Sequence, residues 1–153
     1  MRSNRLGPLA EVSRLTLGGG GIGQGWGETS RDEAIATIKL AVDHGINLID
    51  TAPLYRNCEA IVGEAFGGRL PNGVRITSKC GLGTCTAEEV LPKLTASLDA
   101  SLRVMKLDRI DLFFLHSYIA GDDFVFSHGH EQRDDFRLDG RCMSIMWCPR
   151  SSA

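Results

Sequence analysis

The stretch INLIDTAPLY, Ile46 to Tyr55, decides how this chain is read. Ile46, Leu48 and Ile49 have the character of a strand bound for a core. That strand closes on a carboxylate, Asp50, and a tyrosine stands five residues further on at Tyr55. A buried strand that finishes on a charge needs a use for it, because an unpaired carboxylate away from water is costly.

Outward from this stretch the chain alternates. Upstream, RLTLGGG (Arg14 to Gly20) reads as a strand running into a glycine loop. SRDEAIATIKLAVDHG (Ser30 to Gly45) reads as a helix: Ser30 and Glu33 form a capping box, Ile35, Ile38 and Val42 share a face, and Gly45 suits a left-handed stop. Downstream, CEAIVGEAF (Cys58 to Phe66) is a short helix closed by Gly67 and Gly68, and VRITSKC (Val74 to Cys80) is a third strand. TAEEVLPKLTASLDASLRVMKL (Thr86 to Leu107) is a longer helix, with Leu91, Leu94, Leu98 and Leu102 expected on one side and Pro92 weakening or kinking its first turn. RIDLFFLH (Arg109 to His116) is a fourth, almost continuously apolar strand. Strands alternating with helices imply right-handed crossovers and a parallel sheet covered on both faces. An open doubly wound sheet and part of a (β/α)-barrel both fit this order.

The bulk properties exclude several classes. With 153 residues, 42% hydrophobic and 24% charged, the chain suits one ordinary domain. A net charge of −2 and no Lys/Arg run argue against nucleic acid as a partner. No apolar run approaches membrane-spanning length, and MRSNRLGPLAEV carries no signal-peptide core. The five cysteines, Cys58, Cys80, Cys85, Cys142 and Cys148, make no C-x-x-C pair, so free thiols in a reducing cytoplasm are expected. The cluster His128-Gly129-His130-Glu131 has no companion ligand motif and reads as a solvated loop, so no metal site is expected.

The polar residues carry the functional reading. Asp50, Lys79 and His116 stand at the ends of successive strands, and Tyr55 follows the first of these. The carboxyl ends of parallel strands form the ligand face, so all four are expected at one mouth. Each alone has a bland reading as a surface or core side chain; the shared rim is what favours a site. A free phenol titrates near about 10, an ammonium beside it favours phenolate, and a carboxylate paired with the lysine keeps that ammonium charged and aimed. A histidine can hydrogen-bond a carbonyl oxygen. Such a set handles a proton at oxygen while hydride reaches carbon. It holds no hydride of its own, so a nicotinamide, NADP or NAD, is implied.

At this point the sequence resembles the aldo-keto reductases. GINLIDTAPLY is similar to their second-strand motif through Asp50 and Tyr55, EAIVGEAF to the following helix through Glu59 and Gly63, and ITSK carries the lysine at Lys79. SLDASLRVMKLDRIDLFFLH matches through Ser97, Leu98, Leu107, Asp108, Asp111, Leu112 and His116. The resemblance implies a partial (β/α)8 TIM barrel, about its first four βα units, over residues 1–136, and reversible interconversion of carbonyl and alcohol in an aldehyde, ketone or sugar. It implies Tyr55 as acid–base, Lys79 and Asp50 as its tuners and His116 as the carbonyl orienter. Gly21, Ile22 and Gly23, with Asp50, are the expected cofactor contacts. The loop YIAGDDFVFSHGHEQRDDF resembles the sugar-dehydrogenase-like branch.

Two departures stand out. The family commonly has glycine after the tyrosine; here it is Arg56, expected to point to solvent. The family's barrel has eight strands, and about four are expected here, so a truncated, weakly active or inactive form is expected, self-associating through open sheet edges. The alternatives are a non-catalytic cofactor-binding or regulatory module with an inherited site, and a Rossmann-type domain using the GxGxxG match at Gly18, Gly20 and Gly23. The Rossmann reading expects a helix opening inside the glycines, whereas the helical pattern starts at Ser30. The tail, residues 137–153, is expected to be irregular and read in a shifted frame. The codons of Met146, Trp147 and Cys148, regrouped one base earlier, force two valines. With GC-rich codon choices, Pro-Ala-Leu-Glu then follows, like the next helix of a barrel.

Overall fold

The computed structural model describes residues 1–9, 11–83 and 85–116. It opens on an antiparallel hairpin, β1 (Ser3–Arg5) and β2 (Glu11–Ser13), joined through a short 3₁₀ turn at Gly7–Leu9. The sequence did not reveal this hairpin, because its strands are three residues long and β1 is exposed throughout. Asn47 pins it: Oδ1 accepts the Ser13 N–H at 2.6 Å, and Nδ2 donates to the Glu11 carbonyl at 3.1 Å. Leu9 and Val12 pack with Leu112 and Phe114, which joins the hairpin to the last strand of the sheet.

Four parallel strands follow, β3 (Leu17–Gly18), β4 (Leu48–Asp50), β5 (Arg75–Cys80) and β6 (Leu112–Leu115), hydrogen-bonded in the order β3-β4-β5-β6. The crossovers are α2 (Arg31–Asp43), α3 (Cys58–Ala65) and α4 (Ala87–Met105), after a single turn α1 (Gly19–Ile22). A doubly wound sheet reverses its strand order at a switch point. Here each new strand adds to the same edge, which is the winding of a (β/α)-barrel, and the fold is a partial one. This order removes the Rossmann alternative. The glycine run is also corrected: Gly19–Ile22 is one helical turn rather than a loop, while the long helix begins only after Ser30.

Local chemistry explains the helix boundaries. The Ser30 hydroxyl accepts the Glu33 N–H, and Glu33 accepts the Ser30 N–H at 2.9 Å, completing the capping box. Gly45 takes φ 87°, as its left-handed stop requires. Ile38 is fully buried, with Ile35 and Val42 packed beside it. In α4 the buried stripe runs through Leu94, Ser101 and Met105, with Leu98 and Leu102 at its margin. Leu91 was expected on that stripe but is 64% exposed, since it lies off its centre and near the helix start. Pro92 stands inside one continuous helix rather than ending it. Ile49, Ile76 and Phe113 face the helices, and Gly63 lets α3 approach α4 so closely that a Cβ there would sit 2.5 Å from the Met105 carbonyl oxygen. The expectations for the loop after His116, the His128–Glu131 cluster, Cys142, Cys148 and the tail lie outside the described residues.

Candidate active site

Strand register assembles the site. Gly18 pairs with Asp50 and Asp50 with Thr77, so these three form one row across β3, β4 and β5. Lys79 lies two residues beyond Thr77, on the same face of β5 by the period of the pleat. Its ammonium donates to both Asp50 carboxylate oxygens at 2.7 Å and to the Thr51 carbonyl at 3.0 Å. Thr77 Oγ1 donates to Asp50 at 2.7 Å, so the carboxylate is held from two sides. Lys79 and Asp50 are 14% and 26% exposed, a mostly desolvated ion pair that keeps a way out to the rim.

Tyr55 reaches the same place from the loop between β4 and α3. Its ring centroid lies 4.5 Å from the Lys79 ammonium, within cation–π range. The His116 ring stands edge-on to it, 5.6 Å between centroids with planes at 87°. The backbone of His116 is tied to β5, its main-chain N–H donating to the Cys80 carbonyl at 2.7 Å. The protonated imidazole is disfavoured, first by burial and then by the Lys79 charge, with Asp50 opposing, so His116 titrates below its ordinary value. Its Nδ1 is buried with no hydrogen-bond partner among the described residues. The structure thus brings Asp50, Tyr55, Lys79 and His116 to one end of the sheet.

The glycine contacts sort differently. Ile22 is 7% exposed and belongs to the core, and Gly23 is pressed against the Tyr55 backbone. Gly21 is partly exposed, with only the Trp26 ring near its Cβ position. Arg56 adopts φ 51°, a conformation glycine takes without strain. It is exposed, as expected, and its Nη1 also donates to the Gln24 carbonyl at 3.3 Å.

Several supporting residues were not read from the sequence. Thr77 could have been, since in RITSKC it shares the Lys79 face by simple alternation. Glu59 entered only as a motif residue of the following helix, with no contact read for it: this carboxylate is 4% exposed and accepts from Ser78 Oγ at 2.6 Å, with Ser101 Oγ 3.5 Å from Ser78. Cys58 lies beneath the site with its thiol pushed up to about 12, by burial first and then by the charges of Glu59 and Asp50, so it stays protonated and inert. Among the described residues no three His, Cys, Asp or Glu side chains gather as a metal would need, and no helix is long and apolar enough to cross a membrane.

Comparison with known proteins agrees with this fold. The sequence profile of the aldo/keto reductase family matches residues 14–128. The aldo-keto reductase YhdN of Bacillus subtilis is 35% identical over 116 residues, which cover 69% of this chain and 34% of the relative. Methylglyoxal reductase DkgB of Salmonella typhi is 34% identical over 93 residues, 60% of this chain and 33% of the relative. A crystal structure of an aldo-keto reductase from Klebsiella pneumoniae in complex with NADPH superposes with a TM-score of 0.63 at 27% identity, covering 79% of this chain and 41% of that one. The chain spans about a third of the length of the curated relatives it matches. A singly wound parallel sheet with this rim, matched by the family profile over most of its length, makes the chain a member of the aldo/keto reductase family.

Proposed function

We propose that the chain carries the proton-transfer half of an NAD(P)H-dependent carbonyl reductase site, interconverting an aldehyde, ketone or sugar carbonyl with its alcohol. The observation that carries the reading is the Lys79 ammonium, held 2.7 Å from both Asp50 oxygens and 4.5 Å from the Tyr55 ring centroid. In this reading Tyr55 gives its phenolic proton to the carbonyl oxygen during reduction and takes it back during oxidation. Negative charge left on the phenol oxygen is stabilised by Lys79, in a site too dry for water to screen it fully. Asp50 keeps that ammonium charged and aimed. His116, poorly disposed to carry a proton itself, holds the substrate oxygen by a hydrogen bond and orients the carbonyl.

The donor set fits a nicotinamide group, because Tyr55, Lys79 and His116 manage a proton at oxygen and no side chain here can deliver hydride. When bound, the nicotinamide supplies hydride to the carbonyl carbon or accepts it from the alcohol. Asp50 and the backbone of Gly21, Ile22 and Gly23, at the same end of the sheet, are the residues of this chain proposed to lie along it.

The test is Tyr55→Phe, assayed beside the parent for nicotinamide oxidation with a small aldehyde and for nicotinamide binding by fluorescence. The expected result is a loss of about 10²- to 10⁴-fold in turnover with binding retained. Turnover equal to the parent's would show that another group supplies the proton. Binding without turnover in both proteins would favour the non-catalytic cofactor-binding module instead.

A further inference from the structure

The four glycines at Gly18 to Gly21 and the fifth at Gly23 have a use that backbone conformation does not explain. Gly23 has φ −77° and ψ 7°, which any L residue adopts without strain. Yet a Cβ on Gly23 would lie 1.7 Å from the Tyr55 carbonyl oxygen and 2.8 Å from its carbonyl carbon. A Cβ on Gly19 would lie 2.4 Å from the Asp50 carbonyl oxygen, 2.5 Å from Cys58 Sγ and 3.3 Å from Tyr55 Cδ2. Three of these neighbours are backbone atoms, which cannot rotate away. The turn α1 therefore lies flat against the segment from Asp50 to Cys58. The Gly23 N–H donates to the Gly19 carbonyl at 2.9 Å, so the two contact points move as one body. A third attachment, from Arg56 Nη1 to the Gln24 carbonyl at 3.3 Å, holds the far end of the Tyr55 loop to the residue after Gly23.

We propose that Gly19 and Gly23 are positioning residues for Tyr55: the helical turn they form is the seat that fixes the tyrosine loop against Lys79 and His116. This rests on the reading of Tyr55 as the acid–base group, and it goes further by giving the glycine turn a mechanical task. Tyr55 has no crossover helix or strand of its own. Its N–H bonds only to the Ala52 carbonyl within the same loop. The loop is tied to β5 at its start, where the Thr51 N–H and Oγ1 donate to the Thr77 carbonyl at 3.0 and 2.6 Å, and to α3 at its end, where the Tyr55 carbonyl accepts the Cys58 N–H at 3.1 Å; between these ties the glycine turn backs it.

The test reads Tyr55 through its neighbour. The His116 and Tyr55 rings lie 5.6 Å apart between centroids with planes at 87°, so the carbon-bound protons of His116 carry a ring-current displacement in the NMR spectrum of the full chain. Tyr55→Leu removes that displacement and defines its size and direction, and His116→Gln assigns the signal. Gly23→Ala is expected to move the His116 signals in the same direction as Tyr55→Leu. Gly18→Ala, whose Cβ meets nothing within 4 Å, is expected to leave them in place. His116 signals unchanged in a folded Gly23→Ala protein overturn the proposal. If Gly23→Ala fails to fold, Gly19→Ala decides, because its Cβ would meet the Asp50 carbonyl oxygen at 2.4 Å and Tyr55 Cδ2 at 3.3 Å; a displaced His116 signal with the fold retained supports the seat, and no displacement overturns it. In the turnover assay, Gly23→Ala is expected to lose on the order of 10²-fold, as a misplacement of about 1 Å does. A displaced His116 with turnover unaltered would leave the seat standing and overturn the acid–base reading of Tyr55.

Discussion

The Asp50–Lys79 pair supports a double-substitution cycle. In Asp50→Asn the carboxylate charge is lost while Thr77 Oγ1, at 2.7 Å, keeps an oxygen to bond. The Lys79 ammonium loses the opposing charge and its 2.7 Å bond to the second oxygen, and keeps bonds to the remaining oxygen and to the Thr51 carbonyl. Exposed pairs contribute about 0–1 kcal/mol and breaking a fully buried one costs about 3–5 kcal/mol. With side chains 14% and 26% exposed, Asp50→Asn is expected to cost roughly 2 kcal/mol. At about 4 °C per kcal/mol for a domain of this size, Tm falls by about 8 °C. Lys79→Met keeps the aliphatic stem and leaves a carboxylate that is the more exposed partner, so it is expected to cost less. The double variant, with neither charge left behind, is expected to recover about 1–2 kcal/mol of the summed losses. Urea denaturation of the four proteins measures this coupling. Losses that add to within about 0.3 kcal/mol would show that the two groups do not interact and would remove the basis for calling Lys79 aimed by Asp50.

Three further outcomes are expected. His116 titrates below its ordinary value of 6.5 in the fold, so the unfolded chain binds the extra proton first and stability falls as pH drops below about 6.5; denaturation midpoints against pH should show this slope, and His116→Gln should flatten it. Gly63→Ala places a Cβ 2.5 Å from the Met105 carbonyl oxygen, and prying α3 from α4 should cost about 1–3 kcal/mol in denaturant; an unchanged midpoint would contradict the close approach. The strands β3 and β6 each lack a neighbour on one side among the described residues, so the 153-residue chain is expected to associate as concentration rises; light scattering that reports a monomer at every concentration, with cooperative melting, would refute this.

The crossover elements and the rim were legible in the sequence because both depend on local rules. Ser30 and Glu33 cap a helix through contacts three residues apart, and alternation carries Thr77 and Lys79 to one face of β5. Asp50, Lys79 and His116 stand at strand ends, and in a parallel sheet strand ends meet whatever the helices between them do. What the sequence left open depended on contacts between distant segments. Strand order separated a barrel from a doubly wound sheet, because periodicity describes one strand and not its neighbour. The hairpin around Leu9 and Val12 was hidden because its strands are too short to show a period and are held by Asn47, 34 residues beyond Ser13. Leu91 was assigned to the buried side because helical spacing gives a direction and not the depth of what lies across from it. The glycines were ambiguous for the same reason: a glycine written in a sequence permits both an unusual torsion and a close approach. Only the packed chain shows that Gly67, at φ 60° with nothing near its Cβ position, follows the first course and Gly23 the second. Gly23 approaches the Tyr55 carbonyl so closely that a Cβ would stand 1.7 Å from its oxygen; the two residues are brought together by β3 and β4, and no local pattern contains that approach.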